Sequence, residues 1–192
     1  MIPDLNLSGV LPPFLSEDSP VNPEAVAPYK VSLLELAYKF VTSEERSIII
    51  KGLISYRDAL RAEGIHAGFQ WIDGSFVENV EKNRGRPPKD VDIITFSFRP
   101  ERYNEPDDWE NFVNSRLDLF DPEQSKMIYK CDAYFIDLQS HPILLVNLTR
   151  YWFGLFSHQR ETFQWKGMLE IPIDDDDSEV LALLNSGGLY AA

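Results

Sequence analysis

The stretch that decides the fold is "WIDGSFVENVEKNRGRPPKDVDIITF", residues 71–96. An apolar run ends at a Gly-Ser pair, a basic loop follows, and a second apolar run begins with Asp90 and Asp92. Side chains alternate along a strand, so these two carboxylates are predicted to project from the same face. Because neighbouring carboxylates repel each other unless a positive charge lies between them, the pattern predicts a cation site. The alternative is a strand entry in which one acid caps a loop and the other is exposed.

A third acid from a neighbouring strand would complete such a site. The apolar run at residues 130–138 offers Asp132, and Asp137 is the competitor. The odd offset of five residues places these two side chains on opposite faces of one strand, so both cannot join the cluster. A hard divalent cation, Mg²⁺ or Mn²⁺, prefers carboxylate oxygens and keeps positions open for substrate phosphate. We therefore predict that Asp90, Asp92 and Asp132 bind metal and carry the chemistry.

The Gly-Ser pair and the basic loop supply the complementary half of the predicted site. A glycine after a strand lets the backbone approach a ligand closely, and the amides and hydroxyl of a following helix start can donate to phosphate oxygens. The alternatives are an ordinary turn and a solvated loop. The predicted nucleotide-binding residues are Gly74, Ser75, Arg84, Arg86 and Lys89.

Hydrophobic periodicity predicts the order αα-β-β-α-β-α-β, an α+β (mixed α/β) domain. The predicted helices are residues 31–41, 42–64, 106–120 and 142–156, and the predicted strands are residues 66–73, 90–98, 130–138 and 163–173.

Three regions are predicted along the chain. Residues 1–29 hold six of the thirteen prolines, which predicts an extended arm whose apolar residues lie against the domain or a partner. Residues 30–173 form the domain. Residues 174–192 begin with four consecutive aspartates and predict a solvated acidic tail with room for one short helix.

Composition limits the partners. The net charge of −13 repels phosphate backbones, so no extended DNA binding is expected, whereas a nucleotide accompanied by a metal, or a basic protein, is compatible with it. No apolar run approaches the roughly 18 residues of a membrane span, so no membrane association is expected. The N-terminus has no basic region followed by an apolar run, and Cys131 is the single cysteine. These features favour a cytoplasmic protein.

The ordered set of strand, Gly-Ser, spacer, "DVD" and an apolar-Asp-apolar strand resembles the DNA polymerase β-like nucleotidyltransferase superfamily. Within it, the chain is similar to the small bacterial minimal nucleotidyltransferases of toxin–antitoxin and phage-defence pairs. The resemblance implies a mixed sheet with helices on one face, an NTP substrate and two Mg²⁺ ions. It implies that Asp90 and Asp92 bind both metals, that Asp132 binds the metal activating the attacking hydroxyl, and that Gly74 and Ser75 contact the triphosphate.

The leading hypothesis is transfer of an NMP from an NTP to a hydroxyl of a protein, or of an RNA end. The alternative is a catalytically inactive binding module on the same fold that acts as an antitoxin-like partner, which the proline-rich arm, the acidic surface and the aromatic helix at residues 142–156 favour. Metal-dependent phosphodiester hydrolysis is a third hypothesis. The base of the NTP, the acceptor and the oligomeric state do not follow from the sequence.

Overall fold

A single mixed sheet organises the protein, which is described here from a computed structural model covering residues 2–15, 21–160 and 162–189. Its strands are β1 (Tyr29–Lys30), β2 (Gly68–Asp73), β3 (Val91–Ser97), β4 (Cys131–Asp137) and β5 (Leu169–Pro172). Their order across the sheet is β1-β5-β2-β3-β4. β1 runs parallel to β5 and β3 runs parallel to β4, whereas β2 is antiparallel to both of its neighbours.

The strand register aligns three aspartates across the sheet. Asp92 on β3 is the partner of Asp73 on β2 and, on the other side, of Asp132 on β4. Residues in register on neighbouring strands point to the same face of a sheet. The end of the sheet that carries these residues therefore presents a row of three carboxylates.

Helices surround the sheet. They are α1 (Leu33–Phe40), α2 (Glu44–Ala62), α3 (Val80–Arg84), α4 (Pro106–Ser115), α5 (Leu117–Phe120), α6 (Pro122–Tyr129), α7 (Pro142–Phe156) and α8 (Ser178–Ser186). α1 begins at a capping box, in which the Ser32 hydroxyl accepts from the Glu35 amide and the Glu35 carboxylate accepts from the Ser32 amide. Such reciprocal bonds satisfy amide groups that have no partner within the helix.

The sheet is covered on both faces, which confirms the α+β class but differs from the expected placement of helices on one face. Alternate residues of β3 separate the two layers: Ile93 packs with α1 and α2, whereas Ile94 packs toward α7. The α7 side contains Trp71 and Phe156, with Trp152 packed against them. The apolar residues on both faces of the strands require a cover on each side. The aspartate row lies on the α7 face.

The region before β4 differs from the prediction of one helix over residues 106–120. Arg116 adopts φ −120° and ψ 54°, which separates α4 from α5, and its guanidinium pairs with Asp118. α6 follows, with Asp121 as N-cap and Pro122 in its first turn. No helix is predicted over residues 122–129, because that short segment carries few apolar residues. α6 is nevertheless the helix that reaches the aspartate row.

The N-terminal arm lies against the domain, as expected of its apolar residues. Val10 and Leu11 are buried, and the Tyr29 hydroxyl donates to the Pro12 carbonyl at 2.9 Å. Leu7 is an exception, since its side chain is fully exposed. The part of the arm at residues 16–20 lies outside the described residues.

The acidic segment after β5 is a correction to the expected solvated tail. Asp177 is buried, and its carboxylate accepts from the guanidinium of the fully buried Arg57 at 2.7 and 3.0 Å. α8 then buries Val180 and Leu184 against the main core. Buried charges occur where they are paired, so a run of aspartates contributes one internal counterion. Among the described residues, no helix is long and apolar enough to cross a membrane.

Candidate functional site

An open cleft of about 710 Å³ lies at the end of the sheet that carries the aspartate row. The Gly-Ser turn after β2, the starts of β3 and β4, and the last turns of α7 line this cleft. Its acidic lining residues are Asp73, Glu78, Asp90, Asp92 and Asp132.

The three predicted metal ligands meet in this cleft. Asp90 directly precedes β3, and Asp92 and Asp132 are register partners on β3 and β4. The Lys126 ammonium on α6 lies between two of them, 2.8 Å from Asp90 Oδ2 and 3.2 Å from Asp132 Oδ2. Lys126 is not among the predicted site residues, because the sequence pattern does not predict α6.

Within residues 2–15, 21–160 and 162–189, no group of three or more His, Cys, Asp or Glu side chains is arranged to bind a metal ion. Instead, the Lys126 ammonium supplies the positive charge between Asp90 and Asp132. The donors themselves suit a hard divalent cation, because carboxylate oxygens are its preferred ligands. The role of the three aspartates as metal ligands stays a prediction.

Burial and mutual repulsion both act on the central carboxylate. Burial, followed by the charges of Asp132 and Asp90, raises the pKa of Asp92 to about 6. A cation bound beside these groups would oppose both effects and favour the ionised form. Burial also raises the pKa of Asp73 to about 7, although the Lys166 ammonium opposes it.

We expect the metal-free protein to be more stable at pH 5 than at pH 7.5. A raised pKa means that the folded state binds protons more tightly, so stability falls as pH rises from about 4 through the folded pKa. Asp92 alone would contribute about 1.4 kcal/mol, the value of one proton over one pH unit. Arg116 and Arg46 lower the pKa values of Asp118 and Glu81, respectively. These two carboxylates therefore stabilise the fold throughout pH 5 to 7.5 and lose their contribution to stability only at lower pH.

Thermal unfolding in EDTA across pH 5 to 7.5 would measure this dependence. The slope should be smaller in Asp92→Asn, which has no carboxylate to titrate at that position. A melting temperature that rises with pH in the unsubstituted protein would contradict the expectation.

Gly74 is required by its contact with Asp92. Its φ is +82°, a region that favours glycine, and a Cβ at this position would lie 2.4 Å from Asp92 Oδ2. Ser75 lines the cleft at the start of a one-turn 3₁₀-helix, Ser75–Val77. The turn therefore brings the backbone close to the central carboxylate.

Of the three predicted basic residues, one lines the cleft and two lie outside it. Arg84, at the end of α3, lines the cleft. Arg86 and Lys89 are exposed and do not line it, and the Arg86 guanidinium donates to the Pro87 carbonyl. The loop thus brings one of these three cations to the aspartates.

Asp137, the competitor for the third acid, lies at the opposite end of β4 as the register partner of Ser97. Its carboxylate accepts from the Arg99 guanidinium at 2.7 Å. Asp132 is therefore the β4 acid that shares the cleft with Asp92, and Asp137 forms a separate ion pair.

The buried ammonium of Lys166 pairs with the two acids that flank the Gly-Ser turn, Asp73 and Glu78. Lys166 is 3% exposed, and its Nζ donates to Asp73 Oδ1 at 2.7 Å and to Glu78 Oε1 at 3.1 Å. Gln159 donates to the other Glu78 oxygen at 3.0 Å. Neither Lys166 nor Glu78 is among the site residues predicted from the sequence. The one available signal was a lysine inside the apolar run at residues 163–173.

Aromatic and basic side chains also line the cleft. Tyr134 on β4 contacts Trp152 on α7, with ring centroids 4.4 Å apart, and Tyr151 also lines the cleft. His158 and Arg160, which follow α7, line the same opening. The cleft therefore combines acidic, cationic and aromatic surfaces, which suits a ligand with both a charged and a planar part.

Fold and site together define an α+β protein with an acidic cleft at the end of a mixed sheet. The chain belongs to a family of unknown function (DUF6932), whose sequence pattern matches residues 3–172. Neither the curated proteins nor the solved structures compared with the chain include a match.

Proposed function

We propose that this protein is a metal-dependent nucleotidyltransferase that moves an NMP from an NTP to an acceptor hydroxyl. One observation carries the proposal: Asp90, Asp92 and Asp132 line one cleft beside Gly74 and Ser75. The acceptor oxygen forms a bond to the α-phosphorus, and the bond from that phosphorus to the bridging oxygen of the β-phosphate breaks. Pyrophosphate leaves, and the hydroxyl proton passes to solvent.

The three aspartates would hold Mg²⁺ or Mn²⁺. The bound cation would supply charge neutralisation at the reacting phosphate. Asp92 is the central ligand, since it lies in register with Asp132 and follows Asp90 by two residues. Burial and the charges of Asp132 and Asp90 raise the pKa of Asp92, so a nearby positive charge would favour its ionised form.

The Gly-Ser turn positions the triphosphate. Gly74 leaves the space that a Cβ would occupy, and Ser75, which lines the cleft, carries a hydroxyl that can donate to phosphate oxygens. Arg84 adds a positive charge to the same wall. Lys166 acts through the turn, because it fixes Asp73 and Glu78 on either side of Ser75. Catalysis by these residues is positioning and charge stabilisation.

A protein hydroxyl is the favoured acceptor. The net charge of −13 repels an RNA backbone, whereas it attracts a basic protein. RNA ends are the second class of acceptor. We place this reaction in the cytoplasm, within a bacterial toxin–antitoxin or phage-defence system.

Transfer of label tests the proposal. Each of the four NTPs, labelled at the α-phosphate, is incubated with the protein, Mg²⁺ or Mn²⁺, and a cell extract as the acceptor source. Label that survives RNase and is lost on protease treatment identifies a protein acceptor, and the reverse identifies RNA. Label at the γ-phosphate should not be transferred. Absence of α-label transfer from all four NTPs with either metal would contradict the proposal, and release of free NMP would indicate hydrolysis.

A second candidate function, a binding module without turnover, is favoured by the exposed apolar residues of α7. Ile143 is 68% exposed and Val146 is 67% exposed. Exposed apolar patches often mark sites of protein interaction. This candidate predicts that the protein binds a partner stoichiometrically and that Val146→Glu abolishes this binding. It also predicts that no nucleotide transfer occurs.

A further inference from the structure

We propose that Lys126 is an internal counterion that competes with the divalent cation for the aspartate cluster and thereby sets its metal affinity. This inference rests on the proposed function and concerns the regulation of the same site. It gives a residue of α6 control over the metal affinity of the cluster. α6 lies outside the motif in residues 71–96.

The geometry places an ammonium where a cation would bind. Lys126 Nζ lies 2.8 Å from Asp90 Oδ2 and 3.2 Å from Asp132 Oδ2. A divalent cation held by both carboxylates would need the space between them, and its charge would repel the ammonium at that distance. Lysine and metal are therefore mutually exclusive occupants of these two carboxylates.

Lys126 is the most exposed member of the cluster. Its side chain is 47% exposed, whereas Asp90 and Asp132 are 18% and 26% exposed. A lysine carries its charge on a flexible four-carbon stem, so the ammonium can move to solvent without moving its helix.

The helix itself is fixed. The Ser125 hydroxyl donates to the Cys131 carbonyl at 2.9 Å, and the Lys130 carbonyl accepts from the Val91 amide at 3.0 Å. These bonds tie both ends of the last turn of α6 to the sheet. Displacement of the ammonium thus requires a change of rotamer and leaves the backbone in place.

The second lysine of the cleft, Lys166, is buried and pairs with other carboxylates. Lys166 pairs with Asp73 and Glu78. Of the two lysines that line the cleft, Lys126 is the one in direct contact with the predicted metal ligands. Partly exposed ion pairs contribute modest free energy, so Lys126 should shift the metal affinity without preventing binding.

Mn²⁺ binding in the absence of nucleotide tests the role of Lys126 without requiring activity. The electron paramagnetic resonance signal of the free ion measures how much Mn²⁺ remains unbound. Lys126→Gln removes the competing charge and should bind Mn²⁺ about three- to tenfold more tightly than the unsubstituted protein. Lys126→Arg keeps the charge and should bind no more tightly. Lys130→Asn is the matched control: it removes one positive charge four residues away, and asparagine tolerates the left-handed φ of +60° at this position. Its affinity should change less than that of Lys126→Gln.

Three outcomes would overturn the inference. Unchanged or weaker Mn²⁺ binding by Lys126→Gln, together with loss of binding in Asp92→Asn, would overturn the role of Lys126 and leave the proposed function standing. Equal tightening by Lys126→Gln and Lys130→Asn would replace a local competitor with a general charge effect. Absence of Mn²⁺ binding in every variant would overturn both the inference and the proposed metal site.

Discussion

Asp92→Asn is expected to lower nucleotide transfer by about 10²–10³-fold, the range for loss of one electrostatic contact to a reacting charge. The carboxylate lies at the centre of the row formed with Asp73 and Asp132. Asparagine keeps its size and removes its charge. The initial rate of transfer of α-labelled NMP, at saturating Mg²⁺, measures the effect.

The fold should survive this substitution. Burial, followed by the charges of Asp132 and Asp90, raises the pKa of Asp92. A neutral amide removes both the cost of burying a charge and the repulsion, so the metal-free melting temperature should stay equal or rise. Asp137→Asn is the matched control, because this aspartate lies on β4 outside the cleft and pairs with Arg99. Full transfer activity in Asp92→Asn, or an equal loss in Asp137→Asn, would refute the assignment of the cluster.

Lys166→Met should destabilise the protein by about 3–5 kcal/mol, the cost of breaking a buried ion pair by removing one partner. The ammonium is nearly inaccessible and holds Asp73 and Glu78 together. Without it, two buried carboxylates face each other and the Gly-Ser turn loses its support. Urea unfolding at pH 7.5 measures the loss.

Neutralising the carboxylates should recover most of that loss. In the triple variant Lys166→Met, Asp73→Asn and Glu78→Gln, no unpaired buried charge remains, and replacement of a buried ion pair by neutral groups is often close to neutral in stability. A triple variant no more stable than Lys166→Met would show that packing around residue 166, and not charge, controls the stability of this region.

Much of the fold follows from the sequence because the strands are strongly patterned. The β-branched and aromatic residues around Ile93 and Ile94 and the turn at Gly74 predict β2 and β3, and an apolar run predicts β4. The chain does not reveal the register by itself, since pairing depends on neighbours distant in sequence. The sequence pattern does not predict α6, because this polar, eight-residue helix depends for its stability on the Asp121 cap and on tertiary contacts.

The candidate site divides in the same way. The acids are predictable because Asp90 directly precedes an apolar strand and Asp92 interrupts it, at positions where a charge has no packing role. Lys126 and Lys166 were not predictable, since each is an ordinary lysine until tertiary structure places it against a carboxylate. Arg86 and Lys89 show the converse: clustered charges in a loop do not specify which side chain turns inward.

The pairing of Arg57 with Asp177 has a practical consequence for handling this chain. The family pattern stops at residue 172, five residues before the carboxylate that neutralises the most deeply enclosed guanidinium. A recombinant protein trimmed to that boundary would leave Arg57 without its anion and strip the hydrophobic cover that Val180 and Leu184 provide. Expression boundaries should therefore extend beyond residue 186, whatever the limits of sequence similarity.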